Sequence, residues 1–293
     1  MNGIIVINKP IGKTSHDMVY FVRRLTGIKK VGHTGTLDPA ATGVLPVCIA
    51  NATKVCDMLT NADKVYRVSF MLGMTTDTLD ADGEVLTEQP VLVSEEEIRN
   101  KIKEYIGEIS QIPPMYSAVK INGKKLYELA REGIVAERKQ RMVTIRKIDI
   151  LDIDMENFIV TMDVCCSKGT YIRTLCEDIG MALGCGAFVT RLERRKSGVF
   201  KIEESYTLEE LLKIKEEGKL SEIIIKPDRL FLEYPEVVVN EKCEERVKNG
   251  AKVRYSGLLE DSLYRVYSKK REFLAISRYK DGELLLEKPF WER

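Results

Sequence analysis

Apolar positions along the chain recur with two spacings. From Lys64 to Leu72 the period is two: Tyr66, Val68, Phe70 and Leu72 share one face and Arg67 and Ser69 the other. That alternation predicts a half-buried strand. Gly3 to Asn8, closed by Lys9-Pro10, and Val160 to Cys166 predict two more strands. Helical spacing appears at Met18, Val19, Val22 and Leu25, between a Thr14 or Ser15 N-cap and a terminating Gly27. A Ser94–Glu97 capping box with a stripe at Ile98, Ile102 and Ile106 predicts a helix up to Gly107. Ile172, Leu175, Ile179 and Leu183 mark another, stopped by Gly184, and a Thr207–Glu210 box opens one ending near Gly218. Gly32 to Pro46, rich in Gly, Thr and Pro, has neither period and reads as a long loop. Asp82-Gly83 reads as a turn and Pro113-Pro114 as a break.

Past Pro227 the pattern changes. Short strand-like runs follow at Val237–Val239, Leu263–Tyr267, Phe273–Ser277 and Leu284–Leu286, with an Asp281-Gly282 hairpin turn between the last two. The expectation is a mixed α+β domain over 1–228 and a small all-β module over 229–293. At roughly 60 residues that module is short for independent stability and should dock on the larger domain.

Composition narrows the class. Hydrophobic residues at 44% and charged residues at 31% leave an ordinary globular profile with enough apolar surface for a core. The opening segment has an apolar run only from Ile4 to Ile7, and no stretch is long enough to span a bilayer. A cytoplasmic protein is expected. Seven scattered cysteines fit reduced thiols better than a disulfide framework, and His16 and His33 with no CxxC or HExxH argue against a zinc site. Net charge is only +1, but nine Lys/Arg against three Glu gather between Lys120 and Lys147. Smaller basic runs span Lys9–Lys30 and Arg191–Lys201. Each alone reads as a solvated face; three in one nearly neutral chain shift the reading towards a nucleic-acid partner.

Two lookalike motifs fail. Gly12-Lys13-Thr14 ends like a phosphate-binding loop, but Ile7 stands where the first Gly must be. Asp80-Ala81-Asp82-Gly83 suggests a calcium loop, but its first and twelfth positions would be Thr78 and Gln89. The more informative stretch is Gly32-His33-Thr34-Gly35-Thr36-Leu37-Asp38-Pro39-Ala40-Ala41-Thr42-Gly43-Val44-Leu45-Pro46. It sets one carboxylate in a Gly-rich loop, and Pro39 holds Asp38 extended. An ordinary Asp-Pro turn would satisfy the same spacing.

The whole string closely resembles the catalytic loop of the bacterial tRNA pseudouridine-55 synthases. Further blocks resemble that family in the same order: Lys9 to Ser15, Lys64-Val65-Tyr66, Gly73 to Gly83, Pro113 to Ala118 with Gly123 to Tyr127, and Ser167 to Arg173. Together they cover most of residues 1 to about 200, far more specific than one short motif. The tail after Pro227 resembles, more weakly, the family's PUA-like RNA-binding module. The resemblance implies a pseudouridine synthase fold: a mixed, largely antiparallel sheet with a central cleft, then a small β-barrel.

The resemblance also implies roles. Asp38 matches the catalytic aspartate, Arg173 the arginine paired with it, and Tyr66 the active-site tyrosine. Tyr171 and Leu192 match residues of the uracil pocket, and His33 the histidine that helps displace the T-loop base. Lys9, Lys64 and Asp80 match other motif positions. The implied reaction consumes nothing, so no cofactor and no metal is expected. The carboxylate would either attack the base or trap the sugar. The implied partner is the T-arm of tRNA, gripped by a basic insertion at about 120–147 that is mobile without RNA. A monomer with no obligate protein partner is expected. Two rival readings are a non-catalytic tRNA-binding folding chaperone and a subunit of a guide-RNA complex; the long insertion favours the stand-alone enzyme.

Overall fold

The computed structural model describes residues 1–121 and 123–291. Its larger part is built on one sheet. In chain order the strands are β1 (Gly3–Lys9), β2 (Val31–His33), β3 (Thr42–Ile49), β4 (Lys64–Leu72), β5 (Gly107–Gln111), β6 (Arg141–Asp154), β7 (Ile159–Cys166), β8 (Ala187–Ser197) and β9 (Phe200–Lys201). The main path runs β1-β3-β8-β4-β7-β6-β5, with β2 added to β3 and β9 to β8. Only the short β3–β8 contact, Thr42 with Glu193 and Gly43 with Arg194, is parallel. The sheet is therefore mixed and largely antiparallel.

The period-two segment forms β4 with the expected bounds, and its position explains its composition. It lies between β7 and β8, and Val68 and Phe70 are fully buried. Helices α1 (Ser15–Thr26), α2 (Glu95–Lys103), α3 (Leu126–Arg131), α4 (Ile172–Ala182) and α5 (Leu208–Glu216) follow the predicted caps wherever a cap was predicted. Thr14 caps α1 through a reciprocal box with Asp17, and Gly27 ends it in the left-handed region at φ 75°. Two apolar cores result. One sits under α2 and α4 on β4, β7 and β8; the other joins β1, β3, α1 and Leu211 of α5.

Some expectations shift. α2 stops at Lys103, leaving Ile106 outside it and exposed. The expected long loop is shorter, because Thr42–Ile49 is strand β3. Its Gly43 and Pro46 disguise it. Pro46 falls between the β8 pairing at Thr42–Gly43 and the β2 pairing that starts at Val47, so its missing N–H breaks no ladder. The basic runs are also more structural than their charge suggests. Arg141–Lys147 belongs to β6 and Arg191–Ser197 to β8, and Lys9 is fully buried.

The tail forms a second sheet of β10 (Glu236–Val238), β11 (Val253–Arg254), β12 (Leu263–Tyr267), β13 (Phe273–Lys280) and β14 (Glu283–Pro289), ordered β10-β12-β13-β14-β11. It has the form of a half-barrel, as in a PUA-like module. It is not all-β: α6 (Glu241–Lys248), capped by Asn240, packs Val247 into its core. Mostly charged residues hide that helix from a periodicity search. The module docks as its size requires. Phe231, Ile276 and Phe290 join Ile4, Val6, Val44 and Cys48 in one core, and Phe273 stacks on Phe290 at 4.9 Å. Phe70→Ala, which opens a cavity at the centre of the main sheet, is expected to lower unfolding free energy by about 3–5 kcal/mol. Urea denaturation should show a shifted midpoint with an unchanged slope.

Candidate active site

Asp38 lies in the segment 34–41, between β2 and β3, and the residues on either side of it are anchored. Leu37 donates its N–H to Ser15 Oγ at 2.8 Å, and the same hydroxyl donates to the Leu37 carbonyl at 3.1 Å. The Pro39 carbonyl accepts from Gly12 N–H at 2.9 Å and from Lys9 Nζ at 3.2 Å. Lys9 Nζ also donates to the carbonyls of Lys13 at 2.6 Å and Pro10 at 2.9 Å. The turn after β1 thus cradles the loop. Burial pushes the Lys9 ammonium down to about 8, opposed by the Asp38 charge. Lys9 is therefore still protonated at neutral pH, with all three N–H donors used.

The Asp38 carboxylate accepts from Arg173 Nη2 at 2.7 Å. Arg173 stands in the first turn of α4, where Gln111 ties down the preceding Tyr171 backbone through both its N–H and its carbonyl. The guanidinium is almost fully enclosed and reaches three segments. Nη1 donates to Asp80 Oδ2 at 3.2 Å and to the Thr78 carbonyl at 2.8 Å, and Nη2 to the Tyr116 carbonyl at 2.8 Å. Asp80 is itself held by the Thr78 hydroxyl at 2.5 Å and the Asp82 N–H at 3.3 Å. The arrangement runs from an ordered turn through Asp80 and Arg173 to Asp38. The side chain of Asp38 keeps 38% of its surface exposed against 12% for Asp80. Asp38 is the carboxylate a ligand can meet.

A cleft of about 730 Å³ opens over this pair. His33, Asp38, Asp80 and Arg173 line it, with Tyr116, Ser117, Lys125, Tyr127 and Arg131. The Tyr127 ring has Lys125 Nζ at 5.3 Å and the Arg131 guanidinium at 5.6 Å, a wall suited to a phosphate and a stacked base. His33 Nδ1 accepts from Gly35 N–H at 3.3 Å, and burial with the Arg194 charge holds its imidazole below the usual value.

The other predicted residues lie off the open lining. Tyr66 and Leu192 sit beneath it, packed against both main-domain cores. Burial raises the Tyr66 phenol, so it stays protonated as a neutral hydroxyl. The Tyr171 ring lies 5.7 Å from the Arg141 guanidinium. Lys64 Nζ donates to the carbonyls of Thr60 at 2.5 Å and Ala62 at 2.6 Å, and burial lowers it to about 8. Sequence reasoning missed Ser15 as a loop anchor and Arg194 altogether. Arg194 was hidden in a basic run, yet it is 1% exposed and turned inward. A residue two places beyond Leu192 on a strand faces the same side, and that was the available signal. Among the described residues no group of three or more His, Cys, Asp or Glu is placed to hold a metal ion.

Comparison with known proteins agrees with this geometry. Residues 23–172 match the model of the TruB family pseudouridylate synthase N-terminal domain, and 173–231 that of the tRNA pseudouridylate synthase B C-terminal domain. The chain is 48% identical to tRNA pseudouridine synthase B of Clostridium perfringens strain 13, over 98% of both chains. It is 48% identical to the Alkaliphilus oremlandii protein of the same name, over 90% of this chain and 86% of that one. Among solved structures it resembles a chain of a Cbf5-Nop10-Gar1 complex at TM-score 0.71 and 30% identity, covering 99% of this chain and 85% of that one. With an accessible carboxylate paired to an enclosed guanidinium in its cleft and these matches along its length, the chain belongs to the TruB family of pseudouridylate synthases.

Proposed function

We propose that this chain isomerises uridine 55 in the T-loop of tRNA to pseudouridine, with Asp38 acting on a flipped-out nucleotide. The observation that carries the reading is the accessible Asp38 carboxylate, held 2.7 Å from an enclosed guanidinium at the floor of the cleft. The name shared by the C. perfringens and A. oremlandii relatives, tRNA pseudouridine synthase B, supports tRNA as the substrate.

The reaction breaks the N1–C1′ bond and joins C1′ to C5 of the same base. C5 loses a proton and N1 gains one, so nothing is consumed. Asp38 supplies the carboxylate for this rearrangement, and Arg173 keeps it aimed through a charge-assisted hydrogen bond. Asp80 keeps Arg173 in place. Tyr66, neutral beneath the floor, is the neighbour able to relay a proton. A nucleotide must leave its stack to enter, at a cost of a few kcal/mol. His33 at the cleft edge is placed to occupy the vacated stack. Lys125, Tyr127 and Arg131 grip the T-arm, and the 229–293 module adds a second RNA contact. The purified chain acts alone in the cytoplasm, without cofactor, metal or protein partner.

The deciding experiment maps pseudouridine on an unmodified tRNA transcript incubated with the protein alone. Wild type is expected to give one new T-loop pseudouridine and Asp38→Asn none, with tRNA binding kept. No product from folded wild type that binds tRNA would favour the binding-protein reading instead. A second expectation concerns pH. Lys9 is protonated below about 8 and loses a donor to the Asp38 loop above it, so the modification rate should fall as pH rises through about 8. Lys64 titrates near the same value; a limb that persists in both Lys9→Met and Lys64→Met would assign it elsewhere. Limited trypsin digestion supplies a third check: cuts between Lys120 and Arg141 in the free protein should be suppressed by tRNA.

A further inference from the structure

Arg194 is among the largest fully buried side chains of the molecule. Among the described residues no carboxylate lies within ion-pair distance of its guanidinium, and its hydrogen bonds go to main-chain carbonyls. Nε donates to Val44 at 2.7 Å, Nη2 to Gly35 at 3.2 Å and Nη1 to Thr36 at 3.4 Å. A buried cation without an anion is costly, and three carbonyl acceptors offset only part of that cost. Its surroundings increase it, since the charges of Lys9 and Lys64 are close enough to oppose it. An apolar side chain would fill the space at lower cost. A buried guanidinium at this position therefore calls for a use beyond packing.

Its contacts supply one. Gly35 and Thr36 stand before Asp38 in the chain, and Val44 after it. The backbone of Arg194 also meets the loop: Gly43 pairs with it in the parallel β3–β8 contact, and a Cβ on Gly43 would collide with the Arg194 carbonyl. One residue thus closes both ends of the loop that carries Asp38. On its other side Arg194 pairs across the sheet with Tyr66, so the two side chains stand on one face with the guanidinium charge close to the phenol.

The geometry points to Arg194 as a positioning residue that holds both ends of the Asp38 loop against β8 and sets the Tyr66 hydroxyl relative to the Asp38 carboxylate. It touches no substrate. It acts through Asp38 and Tyr66, and so rests on the roles given to them under Proposed function. Arg173 aims the carboxylate from the side of the cleft, whereas Arg194 fixes the loop from the core. Lysine is a poor substitute, because its ammonium is one point charge, whereas the planar guanidinium directs separate N–H groups to carbonyls at the two ends of the loop.

The test separates rate from binding and stability. Single-turnover modification of a tRNA transcript and the tRNA dissociation constant are measured for wild type, Arg194→Lys and Ile98→Ala. The last variant opens a cavity under α2, in the core away from the loop. Arg194→Lys is expected to lose about 10- to 100-fold in rate, the scale of a reacting group misplaced by about 1 Å, with tRNA affinity unchanged. Ile98→Ala, assayed below its lowered Tm, is expected to keep the wild-type rate. In a double-mutant cycle, Tyr66→Phe should cost less in Arg194→Lys than in wild type, because the hydroxyl is no longer held. If Arg194→Lys does not fold, Arg194→Gln takes its place. A wild-type rate in the Arg194 variant would overturn the proposal. So would a loss matched by Ile98→Ala at equal loss of Tm, or a fall in tRNA affinity that accounts for the rate. Absence of product from wild type would overturn both this inference and the functional reading it rests on.

Discussion

The arrangement of the cleft depends on one enclosed guanidinium, that of Arg173, which holds the accessible Asp38 carboxylate at 2.7 Å. Its geometry reaches further than the pair. Its guanidinium hydrogen-bonds at once to Asp38, to Asp80, to the Thr78 carbonyl and to Tyr116 at the base of the basic insertion. Segments far apart in sequence meet on one planar cation. A planar fork with fixed directions can do this, while a lysine could not. The insertion is therefore connected, through one backbone carbonyl, to the residue that holds the Asp38 carboxylate.

Around that hub the molecule invests buried charge. Lys9, Lys64, Arg173 and Arg194 are all buried, and three of them bond mainly or wholly to carbonyls. Loops carry main-chain carbonyls that no ladder satisfies, and buried cations can satisfy several at once. The Asp38 loop, which lacks regular structure, is thus held as firmly as an element with its own hydrogen-bond ladder. Lys9 and Ser15 hold it from the β1–α1 turn, and Arg194 from β8. The segment is fixed without being paired as a strand, so its carboxylate stays open to the cleft.

The C-terminal module follows a different logic. It buries its own small core but shares aromatic side chains with the back of the main sheet, where Phe231, Phe273 and Phe290 stack near Ile4 and Val44. Val44 also accepts the Arg194 hydrogen bond. The docking surface and the base of the Asp38 loop thus share a strand, β3.

Much of this was legible in the sequence. Period-two alternation located β4, and capping boxes and terminal glycines located α1, α2, α4 and α5, because those signals are local. The motif blocks singled out Asp38 and Arg173, and the structure brings those two together at 2.7 Å. What local pattern could not supply was direction. The runs that contain Lys9 and Arg194 read as solvated faces, and the motif match of Lys64 carried no direction, since the burial of a basic residue depends on carbonyls brought from elsewhere in the chain. β3 hid behind Gly43 and Pro46, whose tolerance follows from what pairs beside them. α6 hid in a charged run whose one apolar face is defined by the sheet it covers. The sequence by itself determined the elements with local signatures and the residue types of the site. Only the tertiary structure decided which cations turn inward, because a buried charge is stable only where distant segments deliver its partners.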